Sequence, residues 1–185
     1  GFPKSKNNNL KSAIQFSQRA LEISSEHAIK YRPTAPDFVR DYWLLGSAYR
    51  ANNELTLAEE NLSKALNLCR QINAVEAEAD ILLDRARLRY AQGDFKDAQE
   101  KASEALVITE RSGYVLQGAD VNLFLAELAM NGHRRRPELV EGSKVEGQLS
   151  DKEAARKHAE EALRLATCDG GEYTYKVAYE EAERM

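Results

Sequence analysis

From Ala79 to Ser112 the chain reads ADILLDRARLRYAQGDFKDAQEKASEALVITERS, with apolar and small residues recurring at steps of three and four. Such steps place side chains on one face of a helix. The pattern predicts two amphipathic helices joined by a tight turn at Gly93-Asp94. Asp94 opens the second helix, because its carboxylate can accept from the free N–H groups of the first turn. Phe95, Ala98, Ala102, Ala105 and Leu106 then share one face. The three alanines are too small to fill a core alone, so they predict a closely approaching partner helix.

The same arrangement returns along the chain. It occurs as Ala13, Ser17, Ala20-Leu21, as Ala58, Leu62, Ala65-Leu66, and as Ala155, Ala159, Ala162-Leu163. The preceding helices also align, since Gly46, Ala86 and Ala126 stand 40 residues apart. Recurrence at a fixed period is the signature of a repeat architecture. Taken in order, residues 8–30 form a second helix for which GFPKSKNNN supplies no first helix, as in a fragment of a larger protein. Pro33 and Pro36 then break the chain, and Asp37 is expected to cap a helix over Asp37–Ala51. Asn52-Asn53 takes the next turn, because Asn tolerates the left-handed conformation. Helices follow over Leu55–Gln71, Ala74–Gln92, Phe95–Arg111 (stopped by Gly113) and Leu116–Asn131. From Ala105 to Ala162 there are 57 residues where 40 are expected. The excess is read as a loop insert over 133–150, after which Ser150-Asp151-Lys152-Glu153 forms a capping box. Gly170-Gly171 ends the last repeat helix. From about Tyr173 a final helix carries Tyr175, Ala178, Tyr179 and Ala182 on one face.

Gly46, Tyr49, Ala58, Leu62 and Ala65 in one repeat, and Ala86, Gly93, Asp94, Phe95, Ala98 and Ala105 in the next, resemble the pattern of the tetratricopeptide repeat (TPR) family. The resemblance implies an all-α fold, an α-solenoid of stacked antiparallel helix hairpins wound into a superhelix and closed by a C-terminal capping helix. It implies one domain over 1–185, with repeats at 37–72, 73–112 and 115–168 and the capping helix at 172–185. The period is long for the family, whose usual repeat is about 34 residues. Arg85 and Arg89 also depart from it, standing where apolar residues are more common. The long repeats look like the C-terminal sensor arrays of bacterial STAND-class signalling ATPases. Within the insert, RRPELVEG resembles the peptide left where mobile palindromic DNA elements enter bacterial genes in frame, which implies a bacterial source.

The net charge of −4 gives no global basic field for nucleic acid. No apolar run approaches the roughly 20 residues of a membrane span, and the first residues lack the apolar segment of a secretory signal. Cys69 and Cys168 have no disulfide or zinc spacing and are expected as reduced, half-buried thiols in a cytoplasmic protein. His27, His133 and His158 have no ligand spacing, so no metal is expected. Phosphate-loop and nucleophile-elbow motifs are absent, and with them any expectation of a cofactor or an enzyme. The triple arginine Arg134-Arg135-Arg136 is expected as a solvated loop.

Binding of a protein or peptide remains. By resemblance to the family, the first helices line a concave groove, and the groove-facing positions are Arg40, Trp43, Ser47 and Arg50, then Asp80, Asp84, Arg87 and Tyr90, then Asp120, Phe124 and Glu127. Trp43, Tyr90 and Phe124 are the expected aromatic anchors, with packing of Trp43 against Tyr31 or a neighbouring helix as the alternative. The Lys and Asn of the family's carboxylate clamp are missing. Two further readings stand beside a sensor module: a scaffold forming a homodimer through the exposed face of the N-terminal helix, and the ligand-sensing part of a transcriptional regulator.

Overall fold

A computed structural model describes residues 4–26, 34–132, 141–167 and 174–184, with side chains over 9–26, 34–131, 151–167 and 174–184. The described residues are all-α: α1 Lys4–Glu26, α2 Ala35–Ala51, α3 Leu55–Gln71, α4 Val75–Gln92, α5 Phe95–Ser112, α6 Val115–Gly132, α7 Glu141–Ala166 and α8 Lys176–Ala182. Contacts divide the chain into two compact units, Gly1–Gly93 and Asp94–Met185.

The short turns share one device. Asn53, Asn73, Gly93 and Gly113 all have positive φ, at 64, 55, 85 and 69°. They stand twenty residues apart, so each helix and its corner occupy half of the 40-residue period. Glycine and asparagine are the residues that adopt this conformation at low cost. Asn73 serves the turn between α3 and α4 as Asn53 serves the one before it.

In the first unit α1 packs on α2, α2 on α3, α3 on α4, and α2 also meets α4. The core gathers Ile14, Leu45, Tyr49, Ala58, Leu62 and Leu88, with Leu21, Trp43, Ala48 and Leu55 packed against it. Gly46 sets the closest approach of α2 to α3. A Cβ there would lie 2.7 Å from Leu62 Cγ and 3.0 Å from its backbone nitrogen. Ala58, Leu62, Ala65 and Leu66, the recurring positions of α3, are all buried. Two polar bonds cross between α1 and α2: Gln18 Nε2 donates to Tyr49 Oη at 2.8 Å, and Ser24 Oγ donates to Asp41 Oδ2 at 2.7 Å.

The start of α2 differs from expectation. Thr34 is the N-cap residue, and Asp37 acts from within the first turn: its Oδ2 accepts from Thr34 N and Thr34 Oγ1, both at 2.8 Å. Pro36 lies in that same turn, where a missing N–H leaves no bond unmade. Asp94 does cap α5, accepting from Asp97 N at 3.1 Å.

In the second unit α5 packs on α6, α6 on α7, and α8 against both α6 and α7. Ala98, Ala102 and Ala105 of α5 and Ala155, Ala159 and Ala162 of α7 are buried, as the recurring pattern requires. Ala119, Leu123, Ala162, Ala166, Ala178 and Ala182 form a core on which Tyr179 of α8 and Tyr175, its N-cap residue, also pack. That is the apolar face foreseen for the last helix, though the helix itself is short.

The insert is where the sequence reading fails. Helix α7 begins at Glu141, so residues 141–150 are helical rather than loop, and Ser150 lies inside the helix instead of capping it. The stretch EGSKVEGQLS is compatible with this: Glu, Lys, Gln and Leu favour helix, and two glycines cost only about 1 kcal/mol each. Residues 133–140, with Arg134, Arg135 and Arg136, lie outside the described residues, as do His27, Tyr31, Cys168 and Gly170-Gly171.

Candidate binding face

Trp43, Ser47 and Arg50 are three and four residues apart, so α2 presents them on one face. Asp84 occupies the facing side of α4, and the four side chains meet. Trp43 Nε1 donates to Asp84 Oδ2 at 2.8 Å, and Ser47 Oγ donates to the same oxygen. Arg50 Nη2 donates to Asp84 Oδ1 at 3.1 Å, and Arg87 Nη1 lies 3.5 Å from that oxygen. Asp84 is only 6% exposed. A carboxylate taken out of water needs charge and donors in compensation, and two guanidinium groups, an indole N–H and a hydroxyl supply them. The first helices of successive hairpins are therefore joined by polar contacts as well as apolar ones.

Five of the expected groove residues are thus brought together: Trp43, Ser47, Arg50, Asp84 and Arg87. Their roles differ from the expectation. Asp84 is the buried hub that fixes the others, and Trp43 joins the core edge while its nitrogen is held. Arg40 pairs with Asp37 on its own helix at 3.3 Å and stays exposed. Asp80 and Tyr90 are half-buried on α4. In the second unit, Asp120 Oδ2 accepts from Tyr175 Oη at 3.4 Å, tying α8 to α6. Phe124 is 5% exposed and serves the interior instead of offering an anchor. Glu127 is half-buried.

A second cluster was not foreseen. Glu59 of α3 pairs with Arg85 at 2.9 Å and Arg89 at 3.0 Å, and Ser63 Oγ donates to it at 3.1 Å. The two arginines that depart from the family pattern therefore attach α4 to α3. The signal lay in that departure, since two cations four residues apart on a packed face call for an acid opposite. Helix α4 carries two such attachments, Asp84 toward α2 and Arg85 with Arg89 toward α3.

In the second unit Asn122 is buried, and its Nδ2 donates to Gly118 O at 2.9 Å. Its Oδ1 is then left to accept from His158 Nδ1, 2.8 Å away. Burial, with Lys157 adding to it, lowers the His158 pKa below the ordinary value. Cys69 is fully buried rather than half-buried, donates to Ala74 O at 3.0 Å, and has its pKa pushed up to about 11 by burial. Such a thiol is a poor nucleophile at neutral pH. Among the described residues no group of three or more His, Cys, Asp or Glu could hold a metal ion, and no helix is long and apolar enough to cross a membrane.

No protein-family model matches the chain, and no curated protein matches it.

Proposed function

We propose that the chain is a TPR-type interaction module that holds a protein or peptide on the face shared by α2 and α4, and that it neither catalyses a reaction nor needs a cofactor. One observation carries this: Asp84 pre-orders an indole and two guanidinium groups on adjacent first helices. Preorganised aromatic and arginine side chains are what binding hot spots are made of. Asp84 uses one Nη of each arginine, whereas a guanidinium carries five N–H donors. Arg87 is more than a third exposed. The chemistry fits a peptide with a carboxylate next to an apolar side chain. The family resemblance and the RRPELVEG segment support the wider role, a sensor array in a larger bacterial signalling protein working in the cytoplasm.

Selection of random peptides displayed on phage tests this. Peptides enriched on the wild-type chain should carry an acidic residue beside an apolar one. They should bind the Arg87→Glu variant about tenfold more weakly, as expected where charge is reversed opposite a partner. Trp43→Phe keeps the ring and removes its donor, and should weaken them less. Enriched peptides that bind Arg87→Glu and Trp43→Ala as well as wild type would overturn the proposal.

A further inference from the structure

The opposite side of the first unit carries a different surface. A groove of about 560 Å³ runs between α1 and α3 above α2. Its floor is mixed: Leu21, Leu45 and Leu57, of which Leu57 is 38% exposed, lie beside Gln18, Tyr49 and Asn61. Its rim carries Glu22, Glu26 and Glu60, and among the described residues no cation lines it. Glu22 pairs with Arg19 and Glu60 with Lys64, each on its own helix, and both glutamates are more than half exposed. Exposed pairs of this kind contribute about 0–1 kcal/mol, so an incoming cation can exchange for them. The comparable cavity of the second unit, about 580 Å³ between α5 and α7, differs in charge, because Arg164 stands there and pairs with Glu161.

We propose that the groove between α1 and α3 docks a basic amphipathic helix, whose apolar face covers Leu21 and Leu57 while its lysines or arginines reach the three glutamates. Helices enter apolar grooves by anchors spaced three and four residues apart. The acidic rim selects the charge of the partner and makes its binding weaken with salt. The surface is separate from the α2–α4 face, so the two can be occupied at once.

The test uses a fluorescein-labelled helical peptide of leucine and lysine with leucines at three- and four-residue spacing, followed by fluorescence anisotropy on the full chain. Its controls are the leucine–glutamate counterpart and a scrambled leucine–lysine peptide of equal charge. The amphipathic basic peptide should bind one per chain and about tenfold more tightly than either control, the order of effect expected from charge and shape together. The triple variant Glu22→Gln/Glu26→Gln/Glu60→Gln, and separately Leu57→Asn, should each weaken it, with circular dichroism showing retained helix. Arg87→Ala should leave it unchanged. Equal binding of the scrambled peptide, or affinities unmoved by both the triple variant and Leu57→Asn, would overturn the assignment; so would a loss caused by Arg87→Ala.

Discussion

Replacing Asp84 by Asn removes one charge and keeps the shape. The amide oxygen can still accept from Trp43 Nε1 and Ser47 Oγ, which share Oδ2 in the native protein. The amide NH2 then faces Arg50 and Arg87, donor against donor. A hydrogen bond to a charged group contributes about 1.5–3 kcal/mol. Arg50 is a quarter exposed, so most of that range applies to it. Arg87 is over a third exposed and at 3.5 Å, so solvent screening reduces its share to below about 1 kcal/mol. The expected loss is about 2–3 kcal/mol, well short of the cost of a fully buried unpaired charge. Trp43 is the chain's single tryptophan and donates to the altered group, so its emission reports on the site directly. Urea unfolding followed by Trp43 emission and by far-ultraviolet circular dichroism measures both the loss and its location. A destabilisation under about 0.5 kcal/mol with unshifted emission would refute the view that Asp84 organises α2 against α4.

Gly46→Ala should destabilise by about 1–2 kcal/mol in the same assay: overpacking against Leu62 costs about 1–3 kcal/mol, and better helix propensity returns at most about 1. A stabilised variant would show that α2 and α3 do not depend on a missing Cβ there. At the left-handed corner Asn73→Ala should cost about 1 kcal/mol, while Asn73→Gly should equal or exceed wild type; equal stability of all three would mean the corner tolerates any residue. His158, with its folded pKa lowered, favours the neutral form, so its contribution is complete above its unfolded pKa and is lost as pH falls through the lower folded value. Unfolding titrations should therefore show a loss at acid pH that His158→Gln does not share, and parallel pH profiles for the two proteins would contradict it.

Much of the helical layout was legible in the amino-acid order because its signals are local. Leu55–Gln71 is bounded by Asn corners, α5 by Asp94 and Gly113, and the buried alanines of α3, α5 and α7 declare themselves by spacing. What was not legible depends on partners distant in sequence. Nothing local to Asp84 shows that Trp43, Ser47 and Arg50 will converge on it. Its position predicts a groove residue facing a ligand, whereas burial makes it a support for residues around it. Phe124 looked like an anchor by its position and is consumed by the interior because α6 is covered by α5, α7 and α8. Arg85 and Arg89 registered as anomalies without their explanation, Glu59, which lies on the preceding helix. The early start of α7 departs from the repeat register because the composition of 141–150 favours helix.

The even spacing of the left-handed corners restricts how such a chain can be lengthened or shortened. Duplicating or deleting one helix with its corner would keep every turn intact, yet it would exchange the first and second helices of every hairpin downstream. Side chains such as Trp43 and Asp84 would then find the wrong neighbours. Only changes by an even number of helices preserve sidedness, so the heritable unit of this architecture is the pair, although the geometric unit is half of it.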